Sequence, residues 1–157
     1  MKYKLVAFWL IVFGALFAFL QMCFEYHFYY IEQSQLFLFS EAYIRNKLLL
    51  PGGFSMLVAE FLVQFFIRPY VGALVTAALL TGVGVCTAGI VKRIAPVSGL
   101  FILYVLPMLA LLFMHFDFNY RVQGTVCYLM MMALLCGYMR IRNDLFRLVA
   151  GCVLVPV

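Results

Sequence analysis

The sequence predicts an all-α fold, a polytopic transmembrane helical bundle with an outward-facing interfacial helix pair between its first and second spans. Hydrophobic residues make up 68% of the 157 residues and charged residues 11%, whereas soluble domains hold about 45–50% and about 25%. The uncharged residues are gathered into runs as long as a membrane-crossing helix. A soluble domain of this length exposes too much surface to water to hide such a composition.

Four uncharged segments are long enough to cross a bilayer. Each lies within the range of about 17–25 residues that spanning helices use: residues 5–24, 70–91, 97–114 and 122–139. The glycines of the second span favour either close helix contacts or only the general frequency of glycine in membrane helices: Gly72, Gly82, Gly84 and Gly89.

The two ends of the chain need separate interpretations. Lys2 and Lys4 precede the first span, and no small-residue cleavage site follows it, so a retained helix is favoured over a cleaved signal peptide. Residues 145–157 are apolar except for Arg147 and are too short to span at 1.5 Å per residue. We therefore expect a single transmembrane domain with an incomplete fifth helix from residue 145, as part of a longer protein.

The charges predict an orientation. If the four spans alternate, the side of the N-terminus carries seven basic residues and one acid, and the other side carries four basic residues and five acids. Loops rich in Lys and Arg remain cytoplasmic, so the N-terminus is predicted inside and residues 25–69 outside, on the periplasmic side of a bacterial inner membrane. Scattered basic residues do not form a nucleic-acid patch, and membrane lipids are the expected partners. The oligomeric state stays open.

Residues 25–69 hold the candidate site. Two amphipathic helices are predicted over residues 29–50 and 54–67, divided by the helix-breaking Pro51-Gly52-Gly53. In the second helix, polar residues at spacings of four form one stripe, and Glu60 is predicted to pair with Gln64 or, through it, with Arg68. The stripe is either the wet face of a helix lying on the membrane or a surface that binds a polar headgroup.

Acidic residues in the same segment are candidates for chemistry. Glu25 and Glu32 are seven residues apart, hence on one helical face, with His27 between them and Gln35 in the polar stretch that follows. A partly buried carboxylate at the membrane surface can act as a general base. The alternative is that these groups are simply solvated.

Two further patterns bear on metals and cofactors. The loop from His115 to Arg121 contains Asp117, which is weak evidence for metal binding or acid–base work and is also typical of a short turn. The five cysteines form no CxxC pair and no cluster with histidine. We expect no disulfide framework, no metal site and no cofactor.

Several motifs carry a family resemblance. Residues 32–37 (EQSQLF), 51–53 (PGG) and 64–66 (QFF) occur in that order. Over roughly residues 1–95 the chain resembles the N-terminal part of a bacterial family of large multi-pass membrane proteins of unknown function. More distantly, a spanning helix followed by an acid-bearing outer loop is similar to the GT-C glycosyltransferases.

The resemblance to GT-C enzymes implies a function. Those enzymes take a sugar from a polyprenyl-phosphate donor, and an acid of the first outer loop serves as base, which here implies Glu32 first and Glu25 second. Substrate contacts would then come from Gln35, Glu60, Gln64 and Arg68. The chain lacks the adjacent acidic pair of that family. A transporter or flippase subunit and a non-catalytic assembly subunit are the alternatives.

Overall fold

The structure is a computed structural model that describes residues 2–94, 101–117 and 119–141. Within those ranges it holds six α-helices and no strand, so the predicted all-α class is confirmed. A short 3-10 helix, Gln64–Ile67, continues the third of them. The α-helices are α1 Lys2–Ser34, α2 Glu41–Leu48, α3 Gly53–Val63, α4 Val71–Ile94, α5 Phe101–Met114 and α6 Val122–Tyr138. The predicted incomplete helix from residue 145 lies outside the described residues.

Helix α1 is longer than the first predicted span. It continues for ten residues beyond Phe24, whose φ of −129° and ψ of 18° mark a kink. The prediction of one helix over residues 29–50 was wrong, because residues 29–34 belong to α1. Phe28 and Ile31 are three residues apart and buried in the core, so an apolar face continues along α1 beyond Phe24.

Helix α2 begins only after a non-helical segment, residues 35–40. The Ser40 side chain caps it, because its hydroxyl oxygen accepts a hydrogen bond from the Tyr43 backbone N–H at 3.2 Å. Glu41 in the first turn and Lys47 in the last turn complement the helix dipole. The helix predicted over residues 29–50 is therefore divided between the end of α1 and the short α2.

The turn between α2 and α3 lies where proline and glycine predict a break. Gly52 has a φ of 71°, a left-handed conformation that glycine adopts without steric cost. Gly53 permits a close approach of the two helices, since a Cβ at this position would lie 1.9 Å from the Lys47 carbonyl oxygen. Both glycines are therefore required for the tight hairpin of α2 and α3.

Helix α4 is the centre of the bundle, and α1, α5 and α6 pack against it. It runs antiparallel to α1: a Cβ at Gly72 would lie 2.6 Å from the Phe28 side chain, and one at Gly84 would lie 2.6 Å from the Trp9 ring. Helix α6 packs on the other two glycines of α4, with Leu129 against Gly82 and Cys136 against Gly89. Of the two interpretations of these glycines, the structure favours close helix contacts.

Two helices are long and apolar enough to cross a membrane on length and composition: Tyr3–Gln33 and Val71–Ile94. Shorter apolar helices are Gly53–Ile67, Ile102–Met114 and Val122–Tyr138. Pro107 lies inside α5, which is assigned as one helix across it. Predicted spans two and four therefore coincide closely with α4 and α6, whereas residues 95–100 at the start of the third lie outside the described residues.

We expect Gly53→Ala to destabilise the protein, because the new Cβ meets backbone atoms of α2 that have no side-chain freedom to move aside. Overpacking typically costs about 1–3 kcal/mol. Thermal unfolding of the purified protein measures the effect. Gly14→Ala is the matched control: no atom lies within 4 Å of its Cβ position, and alanine favours a helix by about 1 kcal/mol. Equal melting temperatures for the two variants would contradict the predicted contact.

Candidate functional site

The charged residues of the described structure are gathered at two opposite ends of the bundle. We call the end where α1 and α5 finish and α4 and α6 begin the acid-rich end; there the rings of Phe24 and Phe116 stack at 5.1 Å. It holds every acid among the described residues: Glu25, Glu32, Glu41, Glu60 and Asp117. We call the opposite end the basic end, where Arg93 donates a hydrogen bond to the Met139 carbonyl.

Glu60 joins α2 to α3. Its Oε1 atom lies 2.7 Å from the Lys47 ammonium, and its Oε2 atom accepts a short hydrogen bond from the Tyr43 hydroxyl. The Lys47 and Glu60 side chains are 23% and 13% exposed. This ion pair is therefore less accessible to water than a pair on the protein surface. Partial burial, together with the hydrogen bond to Glu60 and its charge, raises the pKa of Tyr43 to about 12.

The predicted stripe of Glu60, Gln64 and Arg68 is divided by the structure. Gln64 donates its amide N–H to the Phe37 carbonyl at 3.0 Å, in the segment that precedes the hairpin. Glu60 instead contacts Lys47 and Tyr43 of α2, so the predicted pairing of Glu60 with Gln64 was wrong. Arg68 is exposed beyond the 3-10 helix.

The outer face of α3 and its 3-10 extension is apolar rather than wet. Phe54, Phe61 and Phe65 are 61%, 41% and 43% exposed, while the polar atoms of Glu60 and Gln64 are satisfied within the chain. Buried polar groups require such partners. The sequence predicted that the stripe containing Glu60 and Gln64 would be exposed. It is covered instead, because α2 packs on the polar side of α3.

The candidate catalytic acids lie on the last turns of α1. Glu25 is exposed just beyond the kink, and Glu32 is half-buried. The Gln35 backbone N–H donates to the Glu32 carbonyl at 3.3 Å, which keeps these two residues together. Neither Glu25 nor Glu32 forms a salt bridge within the described ranges, where Lys47 and Glu60 form the one such pair.

A buried polar cluster at the acid-rich end was missed in the sequence. His115 Nε2 lies 2.9 Å from the Thr125 hydroxyl oxygen, and the Tyr120 hydroxyl lies 3.2 Å from the same atom. Burial, and secondly the charge of His27, lowers the pKa of His115 to about 4. His115 is therefore neutral at physiological pH. The one indication in the sequence was a threonine within the apolar run that follows the His115 loop.

The rest of that loop forms the predicted local turn. The Asp117 carboxylate accepts a hydrogen bond from the Asn119 backbone N–H at 2.9 Å, as expected for a short polar turn. Among the described residues, no three His, Cys, Asp or Glu side chains come close enough together to hold a metal ion. His115 Nε2 donates a hydrogen bond to the Thr125 hydroxyl or accepts one from it, depending on which ring nitrogen carries the proton.

Over its described residues the protein is all-helical, with two helices long and apolar enough to cross a membrane and with the described acidic groups at one end. The chain belongs to a family of unknown function, DUF6057, whose model matches residues 1–157. The match extends the resemblance to an uncharacterised family from the N-terminal part to the whole chain. Searches among curated proteins and among solved structures each found no match.

The neutral His115 predicts a loss of stability in acid. An unfolded chain protonates this imidazole below about pH 6.5, whereas the folded protein keeps it neutral down to about pH 4. Since the unfolded state binds more protons between these values, stability falls as pH drops. We expect His115→Asn, which keeps a donor for Thr125, to flatten the pH dependence of thermal unfolding between pH 6.5 and 4.5 by about 2 kcal/mol. Identical pH profiles would disprove the assignment.

Proposed function

We propose that this chain is a multi-pass integral membrane protein of the bacterial inner membrane, with a cytoplasmic N-terminus, and that it acts at the acid-rich end on the outer side. The observation that supports it is the apolar exterior of the helices. Tyr3–Gln33 and Val71–Ile94 each contain an apolar stretch of 18 residues. Only 17% of this stretch is buried in the first helix, and 44% in the second. Soluble monomers rarely expose contiguous apolar patches beyond a few hundred Å², whereas lipid accepts such a surface.

The shorter helices support more than two crossings. Helices α5 and α6 also present large apolar side chains to the outside. Helix α5 runs antiparallel to α4, since Met108 lies at Gly84 and Tyr104 at Lys92, and α6 runs parallel to α4. The exposed residues include Ile102, Leu106, Phe113, Met131 and Leu134. All four helices of the bundle would then stand across the bilayer.

The charge distribution supports the orientation. At the basic end, no acid of the described ranges lies near the cations Lys4, Lys92, Arg93 and Arg140, as expected of a cytoplasmic face. The hairpin of α2 and α3 would lie at the outer membrane surface, with the exposed rings of Phe54, Phe61 and Phe65 against lipid.

This topology predicts the behaviour of reporter fusions. Fusions after Lys92 and after Arg140 should be active as cytoplasmic reporters, and a fusion at Asn119 should be active as an exported reporter, because the basic segments remain inside. Activity of both kinds is measured at each position. Export of the Lys92 fusion would overturn the orientation.

Cysteine labelling tests the position of the hairpin in the same protein. Asn46 and Arg68 are exposed residues on either side of α3. With cysteine at each position in a cysteine-free background, both should react with an impermeant thiol reagent added from outside. Reaction at one of them from outside and at the other from the cytoplasm would mean that residues 53–67 cross the membrane.

For the activity, we propose group transfer from a polyprenyl-phosphate-linked sugar at the outer surface, with Glu32 as the general base and Glu25 as the second candidate. The base would take the proton of the acceptor hydroxyl as its oxygen attacks the sugar, and the polyprenyl phosphate would leave. Glu32 is half-buried and carries no ion pair within the described ranges. Gln35 and Arg68 are the remaining candidates for substrate contacts.

Glu60 and Gln64 fit this mechanism less directly. Their polar atoms are engaged by Lys47, Tyr43 and the Phe37 carbonyl, so they would shape the hairpin that borders the substrate. The same contacts argue against a transport path lined by Glu60, Gln64 and the glycines of α4. Two of those glycines, Gly72 and Gly84, are buried against Phe28 and Trp9 of α1.

We expect Glu32→Gln to lower turnover of a polyprenyl-phosphate sugar by about 10²–10⁴-fold, the usual contribution of a general base. Glutamine keeps the size of the side chain, so membrane insertion and abundance should not change. Glu41→Gln is the control: this acid is exposed in the first turn of α2, and the variant should lose little activity. Turnover of purified protein is measured at equal abundance.

Two outcomes would decide against the mechanism. Equal turnover by the wild-type protein and Glu32→Gln would remove this carboxylate from the chemistry. No turnover by the wild-type protein with any such donor would favour a transport or assembly role instead.

A further inference from the structure

A long groove runs between α1, α4 and α6 and reaches the basic end of the bundle. It has a volume of about 960 Å³, and apolar or small side chains line most of it. The lining includes Trp9 and Leu10 of α1, Gly82 and Val85 of α4, and Ala133 and Gly137 of α6. Such a groove suits an extended hydrocarbon chain, because small residues leave room beside the helix backbones.

Two cations stand at one end of this groove. Lys92 near the end of α4 and Arg140 beyond the end of α6 both line it. Lys4 and Arg93 add positive charge at the same end, and every acid of the described residues lies at the opposite end. An anion placed between Lys92 and Arg140 would therefore meet attraction from both cations without a competing carboxylate of the described chain.

The length of the groove matches one leaflet of a bilayer. The lining residues of α4 extend from Ala78 to Lys92, which corresponds to about 21 Å at 1.5 Å per residue. Half of a bilayer, from its midplane through the headgroup region, is about 20–22 Å thick. A lipid phosphate beside Lys92 would thus place its acyl chain along the apolar part of the groove.

We infer that this groove binds one anionic phospholipid from the cytoplasmic leaflet, with its phosphate between Lys92 and Arg140 and an acyl chain between α1, α4 and α6. The inference rests on the proposed membrane location and orientation. Basic pockets between helices on the cytoplasmic side are a known form of anionic headgroup recognition. A zwitterionic lipid fits less well, because its ammonium group would face two cations.

Lipid retention tests the headgroup contact. The complete protein, purified from membranes in mild detergent, is mixed with equal amounts of phosphatidylglycerol and phosphatidylcholine, and bound lipid is measured by native mass spectrometry. The wild-type protein should retain phosphatidylglycerol preferentially. Lys92→Gln combined with Arg140→Gln should lower its affinity about 10-fold to 30-fold. The control combines Arg45→Gln with Arg121→Gln, two exposed cations at the acid-rich end, and should change nothing.

A steric pair of variants tests the acyl chain. Val85 lines the groove and is 46% exposed, whereas Leu74 on the same helix is 47% exposed and lies outside the groove. Val85→Trp should abolish lipid retention by filling the groove, and Leu74→Trp should not. Both positions are open, so both variants should keep the wild-type melting temperature, which is measured alongside.

The outcomes separate this inference from the proposed location. Recovery of the protein in the soluble fraction would refute the membrane location itself. In a membrane-inserted protein, equal retention of the two lipids, or unchanged retention in both groove variants, would overturn the lipid site. Absence of bound lipid in the wild-type protein would also overturn the inference. If Val85→Trp then lowers stability as well, the groove would be occupied by another segment of the protein.

Discussion

The close approach of neighbouring helices to α4 is the constraint on which the other features depend. In the bilayer proposed for this protein, apolar side chains would gain nothing by leaving their surroundings, so helices would associate through van der Waals contact and hydrogen bonds. Gly84 and Gly72 let α1 lie against α4 at two heights, at Trp9 and at Phe28. The second contact lies beyond the kink at Phe24, so it holds the last turns of α1, where Glu32 lies, against the bundle.

The hairpin of α2 and α3 depends on a different constraint, because its polar residues lie close to exposed aromatic rings. An ion pair removed from water is destabilising unless its remaining polar atoms are also satisfied. Lys47 meets this requirement by covering Glu60, and Tyr43 occupies the other carboxylate oxygen. The result is a short element with its polar contacts inside and Phe54, Phe61 and Phe65 outside, which suits a boundary between lipid and water.

Local pattern predicted the helices well and the polar contacts poorly. The limits of α4 and α6 and the break at Pro51-Gly52-Gly53 follow from hydrophobic runs and from residues that stop a helix, which act over a few positions. The partner of Glu60 lies 13 residues away, and Thr125 lies ten residues from His115. A stripe at spacings of four favours contacts within one helix, and nothing in that spacing indicates that α2 would cover it. The end of α1 was missed because charged and aromatic residues after Phe24 interrupt the apolar run while its buried face continues.

The distribution of free and engaged carboxylates bears most directly on function. A general base must offer an oxygen lone pair to the reacting hydroxyl. Each oxygen of Glu60 already accepts a hydrogen bond from another side chain, so a reacting hydroxyl would have to share an oxygen with Lys47 or Tyr43. Glu32 lies on a helix fixed by the contact of Phe28 with Gly72 and carries no ion pair in the described ranges. The two carboxylates would therefore have different roles. Glu60 holds the hairpin together through Lys47 and Tyr43, whereas Glu32 would be available for the reaction. For this reason we propose Glu32, and not the engaged Glu60, as the acid from which a reaction at this surface would start.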